Sequence, residues 1–352
     1  MRKWGKSPLV VRVVATVGAI LVVTGCGAGT SPRASDLARS TSRGPLAYVA
    51  NFGFDDQPGT KIAVVAVGTG RRQPSITTGS LPSAIAATPD GRLLLVTDQG
   101  DDNLAVVDLA TDSVIAHIPT GVEPDAVAVS PDGKLALVAN VDDDTVTPID
   151  LTTLHAGRAI AVGSRPDALA IGGPAGRTAV VADLEGNAVT AVDLSTMAAG
   201  PSIPVGLEPD AVAISPDGTT ALVANLGSNS VTPIDLATLK PAASIAAGIG
   251  PTALAVTASR PGPGGSLVAG PTAWVAAGQD LLPLDLTSFK IGAPLPVGHL
   301  AEALAISPDA KTAWVAGQDA TVTPVDLSTV RAGHSIFVGG RPAAIVISPP
   351  PR

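Results

Sequence analysis

Asp142, Asp143 and Asp144 stand side by side in the stretch "VANVDDDTVTP", residues 138–148. Adjacent carboxylates are hard oxygen donors of the kind that hold Ca²⁺. Read as a calcium loop beginning at Asp142, the sixth place falls on Thr147, where the sharp turn needs glycine. The twelfth falls on Thr153, where a bidentate glutamate is needed. The run therefore reads as a solvated hairpin tip. A second set of acids is periodic. Ser83, Asp125, Asp167, Asp210, Thr252, Glu302 and Ala343 recur at one place in a repeated pattern, and four of these seven are acidic. Arg165, His299 and Arg341 fall close to them, and Asp98, Asn140, Asp183 and Asn225 close the apolar runs nearby. Brought onto one face, this set would hold a cation, Ca²⁺ being the candidate, or a basic ligand. The competing reading is that an Asp after Pro satisfies turn N–H groups.

Other chemistry is sparse. His117, His155, His299 and His334 occupy different places in the pattern, and no two have metal-ligand spacing. No nucleophile elbow, phosphate loop or zinc motif occurs. Trp274 and Trp314 align with Tyr48, Leu95, Leu137, Val180 and Leu222, which makes them a core column rather than a ligand platform. The Asp-Leu pairs at Asp108, Asp150, Asp193, Asp235, Asp285 and Asp326 precede turns and read as turn hydrogen bonding.

The elements that must position these residues come from a repeat. A glycine recurs as Gly79, Gly121, Gly163, Gly206, Gly248, Gly298 and Gly339, at spacings of 42, 42, 43, 42, 50 and 41. Each unit carries four short β-rich runs separated by turns; in one unit they are roughly 125–130, 135–140, 145–151 and 158–162. Four strands in such a unit is the pattern of a propeller blade. Six complete units run from Leu81 to Gly339. Residues 340–348 supply only a first strand and residues 46–79 only the later ones. The expected fold is thus an all-β, seven-bladed propeller over 46–348, whose two ends share one blade, with a tail at 349–352. Closure of this kind removes exposed strand edges. Alternation such as Ala126-Val127-Ala128-Val129 lets blades pack closely with only 2 % aromatic residues. Residues 259–272 ("SRPGPGGSLVAGPT") carry about eight extra residues and read as a flexible surface loop. Pro148, Pro233, Pro283 and Pro324 fall inside third runs, where proline needs a bulge or a strand start. In this topology the inter-blade loops and the loops between second and third strands share one face, the mouth of the central funnel.

The strands "YVAN" at 48–51 and "LVAN" at 137–140 and 222–225, with "SPDG" and "VTPIDL", resemble the YVTN family of β-propeller repeats. The likeness covers nearly all of 46–348. It implies a propeller that serves as a surface protein or binding scaffold, or a relative of lactonase-like enzymes. An enzyme of that kind would place a divalent ion among the funnel carboxylates to polarise an ester. It would also gather His, Asp, Glu and Asn from a few blades; here the ring is repetitive and has one histidine, which favours binding over catalysis.

Residues 1–25 contain Arg2, Lys3, Lys6 and Arg12 and no acid, followed by an apolar run at 13–23. This is the layout of an export signal. Its end, Val23-Thr24-Gly25-Cys26, looks like a lipobox, which implies lipidation at Cys26 and an anchor on the outer face of the cell membrane. Cys26 is the only cysteine, so no internal disulfide framework exists. Residues 26–45 are small and polar and read as a flexible tether. Removing the leader's four cations leaves 18 Lys and Arg against 30 Asp and Glu, a net charge of −12. That excludes a nucleic-acid partner and leaves a protein or small molecule.

Overall fold

The computed structural model describes residues 13–14, 44–54, 57–173, 176–261, 267–329 and 331–348. The expected leader, apart from Val13 and Val14, lies outside these residues. So do Cys26, most of the tether and the tail. Val13 and Val14 pair in parallel with Ala211 and Val212.

Seven antiparallel sheets form the ring. Blade one joins the chain ends: Arg341–Ser348 is innermost, followed outward by Leu46–Phe54, Gln57–Ala66 and Arg72–Thr77. Tyr48 pairs with Val346 on one side and Val64 on the other, so the ring is closed by hydrogen bonds within one sheet. The innermost strands of blades two to seven are Pro82–Ala87, Pro124–Val129, Pro166–Gly172, Pro209–Ile214, Pro251–Pro261 and Ala301–Ile306. Each runs from the funnel face to the face bearing the Ser-Pro-Asp-Gly turns.

The alternation of small and branched residues sets the packing. Every residue of Pro82–Ala87, Pro124–Val129 and Pro209–Ile214 is buried. Strands covered on both faces need apolar side chains on both. The column of large residues is core: Trp274 lies opposite Ala255, Trp314 opposite Ala305, Leu95 opposite Ala86 and Leu137 opposite Ala128. A small partner on the innermost strand makes room for each large one. The turns between first and second strands close on themselves. The Ser130 hydroxyl donates to Asp132 (2.6 Å) and accepts from the Leu135 amide (3.0 Å), and Ser215 and Ser307 repeat the bond to Asp217 and Asp309.

The third-run prolines have a common explanation. Pro148, Pro233, Pro283 and Pro324 each accept an N–H from the outer strand, at Gly157, Ala242, Gly292 and Gly333, at 2.7–2.8 Å. In a strand a residue's N and C=O point the same way. The missing N–H therefore faces the outer strand, not the second. All four of these blades have outer strands broken into two short pieces, such as His155–Ala156 and Ile160–Ala161. The three blades without the proline keep continuous outer strands, with a register shift there instead. Proline thus occupies a bulge in the outermost ladder, where its lost donor costs little.

The expectation for residues 259–272 needs correction. The insertion lengthens a hairpin: Ser259, Arg260 and Pro261 pair with Ala269, Val268 and Leu267. The extra residues extend the ladder beyond a register shift between Thr257 and Ser259, which pairs their backbone, and only the tip at 262–266 falls outside the described residues.

Candidate functional site

The ring predicted from the sequence is built by one repeated irregularity. Pro124 pairs with Asn140 and Ala126 with Ala139, so Asp125 is left over. Asp167, Asp210, Ser83, Thr252, Glu302 and Ala343 are skipped in the same way. Each is the extra residue of a β-bulge, a device that re-aims a side chain. The side chains that show their bonds reach to the next blade. Ser83 Oγ donates to the Pro124 carbonyl (3.0 Å), and Thr252 Oγ1 donates to that of Ala301 (2.9 Å). Arg341 Nη2 of blade one meets Glu302 Oε1 of blade seven at 3.0 Å. Asp125, Asp167 and Asp210 are buried at the same level. Arg165, half-buried, holds a left-handed backbone (φ 56°), and its amide donates to Asp144 Oδ1 (2.7 Å). Among the described residues no three His, Cys, Asp or Glu side chains stand close enough together to hold a metal ion. The ring carboxylates lie one to a blade, on blades three, four, five and seven.

Asn140 and Asn225 serve a different purpose from ligand contact. Asn140 is fully buried; its Oδ1 accepts the Gly121 amide (3.0 Å), and its Nδ2 donates to Thr145 and Thr147 hydroxyls (3.0 and 2.9 Å). Asn225 repeats this with Gly206, Ser230 and Thr232. Each amide latches the exit of one blade to the next. The recurring glycine follows from the latch: a Cβ on Gly121 would stand 2.7 Å from Asn140 Cγ, and one on Gly163 2.3 Å from Asp183 Cγ. Asp98 and Asp183 fill the latch place as acids. Asp183 Oδ2 accepts from Thr190 Oγ1 (2.7 Å), while Oδ1 has no hydrogen-bond partner. Burial lifts its pKa to about 6, against the lowering effect of Thr190 and the Gly163 amide. Asp98 is pushed up to about 7, chiefly by burial and further by Asp101, with Thr78 and Gly79 opposing.

Two adjacent blades lack a polar side chain in the latch place. Blade six has Ala277 in the latch place, and blade seven has Gly317. There His299 swings in from the inter-blade loop, and its Nε2 meets Thr323 Oγ1 at 2.9 Å. His299 is thus a buried replacement latch. The sequence carried a signal for this, a glycine and a histidine changed together, but the two lie 18 residues apart in the chain.

The three aspartates are mostly structural. Asp143 Oδ2 accepts the Val122 amide (2.7 Å) and Asp144 Oδ1 that of Arg165. Asp102, Asn187 and Asn229 cap Glu123, Glu208 and Gly250 as Asp144 caps Arg165. Asp142 is exposed. The face is nonetheless strongly acidic. Exposed Asp101, Asp102, Asp142, Glu185, Glu208 and Asp319 surround a mouth whose inter-blade loops offer Arg165 and Arg341 as cations. On the opposite face Arg92, Lys134, Arg177, Lys240, Lys290, Lys311 and Arg331 stand among the turn aspartates.

The family described as YNCE-like beta-propeller has a model that matches residues 52–177. Among solved structures, the chain is similar to one of Kuenenia stuttgartiensis hydrazine synthase. The identity is 24 %, the TM-score 0.64, and the match covers 76 % of this chain and 90 % of that one. It is also similar to a functionally unknown protein from Desulfotomaculum acetoxidans DSM 771, at 15 % identity and TM-score 0.70, covering 87 % and 99 %. These likenesses show the propeller fold. No curated protein sequence matches the chain.

Proposed function

We propose that this propeller is a non-catalytic binding scaffold of the cell envelope, anchored through lipid on Cys26, whose funnel face takes a cationic ligand or protein segment. The observation that carries the reading is the separation of charge between the two faces. Clefts lined by one sign of charge concentrate ligands of the other. The chain enters the ring at Leu46, which pairs with Ala66 and Ser348 on the face of the Ser-Pro-Asp-Gly turns. A tether from Cys26 therefore joins the face opposite the funnel and leaves the acidic face directed outward. A hydrolase reading finds less support. His299 is buried and its Nε2 engaged with Thr323, and the ring carboxylates lie one to a blade.

Calorimetric titration of the full chain carrying Cys26→Ser, held in mild detergent, with a decalysine peptide tests the proposal. Binding that weakens with salt, and weakens further when Asp142→Asn, Glu185→Gln and Glu208→Gln are combined, supports it. Absence of binding at low salt, or an affinity the triple variant leaves unchanged, overturns it. The anchor is tested separately by detergent-phase partition of the unmodified chain and its Cys26→Ser form. Equal partition of the two contradicts lipidation.

A further inference from the structure

The funnel face is not uniformly polar. Leu207, Ile249 and Leu300 begin three consecutive blades, and they are 56 %, 81 % and 46 % exposed. Leu207 and Ile249 hold the place that is Ser80, Ser164 and Gly340 elsewhere; Val122 is a lone aliphatic between two of these. In blade seven His299 occupies that place and turns inward, and the following residue, Leu300, is the exposed one.

The three residues stand on adjoining inter-blade loops, an arc along which glycines bring neighbouring loops close. A Cβ on Gly227 would stand 3.2 Å from Leu207 Cβ, and one on Gly250 3.5 Å from Leu226 Cδ1. Ile249's carbonyl lies 3.4 Å from the Cβ position of Gly278, whose own carbonyl accepts the Ala301 amide (2.9 Å) beside Leu300. Blade six makes its turn between second and third strands with Gly278 and Gln279 alone, where blade three uses Val141 to Asp144. That shorter wall leaves Ile249 the most exposed large aliphatic of the described residues. Exposed aliphatics gathered at one site on a soluble surface mark an interaction surface. Two of its three blades, six and seven, are those whose latch departs from the repeat.

We infer that this arc is the docking site for a protein segment carrying apolar side chains flanked by lysine or arginine. The apolar part follows from Leu207, Leu226, Ile249 and Leu300. The cationic part follows from the exposed Glu208 and Asp319 beside them and from the acidic loops across the mouth. The same acids disfavour an anionic lipid surface. The inference rests on the binding reading above and narrows it to one sector and one partner chemistry.

The test uses the full chain with Cys26→Ser and three labelled twelve-residue peptides: alternating Leu/Lys, alternating Ser/Lys and alternating Leu/Glu. Leu/Lys is expected to bind at least tenfold more tightly than either of the others. Ile249→Ser alone should weaken Leu/Lys binding about fivefold, as expected for losing the contact of a few methylenes. Leu207→Ser, Ile249→Ser and Leu300→Ser together should reduce it to the Ser/Lys level. All three positions are exposed, and unchanged thermal unfolding confirms that the variant is folded. Ile115→Ser with Phe289→Ser, exposed on the outer strand of blade two and at a turn of the opposite face, should change nothing. Equal binding of Leu/Lys and Ser/Lys overturns the arc while the acidic-face reading stands. Equal binding of Leu/Glu overturns the cationic partner. Absence of all binding overturns both readings. Sedimentation with phosphatidylglycerol vesicles that the triple variant abolishes shows a lipid surface to be the occupant and overturns the protein segment.

Discussion

Asp183 stands in the latch of blade four between blades whose latches are Asn140 and Asn225, so Asp183→Asn places in it the residue that its neighbours already use. In the folded chain burial raises the carboxyl's pKa from 3.8 to about 6. The folded state thus holds the proton more tightly than the unfolded state does. Stability contributed by the protonated form is fully present below about pH 4, falls as pH rises through about 6, and is absent above. At 1.36 kcal/mol for each tenfold change in proton affinity, the loss amounts to about 3 kcal/mol. Asparagine has no proton to lose, and its amide can donate to Thr190 as Asn140 does to Thr147. Imperfect fit of the new amide subtracts about 1 kcal/mol. The expected effect is therefore a loss of up to about 1 kcal/mol at pH 4 and a gain of about 2 kcal/mol at pH 7.5. Urea unfolding of both chains at the two pH values reads this directly. A variant equally stabilised at both pH values, or less stable than the parent at pH 7.5, would refute burial of the charge as the cause.

Three further outcomes follow from the same seams and columns. Asp98→Asn should show the same sign over a wider window, with the gain still growing up to about pH 7, where Asp98 itself titrates; a flat difference between pH 5 and pH 8 in unfolding midpoint would contradict it. Gly163→Ala should destabilise by roughly 2 kcal/mol or more, because its Cβ would overlap the Asp183 carboxyl, and amide exchange should quicken at that seam. Trp314→Ala should cost about 3–5 kcal/mol, whereas Trp314→Phe should cost far less, since the buried indole N–H has no acceptor to lose; equal costs in a denaturation series would sink that account.

The sequence shows the ring before the structure does, and for a physical reason. Each blade repeats a glycine that clears a latch, a proline that starts an innermost strand and an Ala-Val alternation that lets sheets stack. Such one-dimensional constraints survive as spacing. What spacing hides is anything that depends on which atoms meet. Asn140 and Asn225, read as ligand contacts, look from the sequence like polar residues at a mouth; only coordinates show their amides spent on Gly121, Gly206 and the threonines. Asp125, Asp167 and Asp210 were visible as a ring, but the bulge that aims them was not. The exposed arc was also hidden: Leu207, Ile249 and Leu300 are ordinary loop aliphatics until the fold sets them on adjoining loops and the short turn at Gly278 uncovers Ile249. The stretch 259–272 misled because Gly and Pro at its centre outweighed the pairing residues on its flanks.

The central claim is that the acidic, partly apolar funnel face is where this protein meets its partner. Hydrogen exchange of the full chain carrying Cys26→Ser, measured with and without the Leu/Lys peptide, tests it most directly. The account predicts slowed exchange in the loops at 205–209, 247–251 and 297–301, with the Ser-Pro-Asp-Gly turns at 130–133 and 215–218 unchanged. Protection at those turns or along the outer strands, with the funnel loops unaffected, would contradict it.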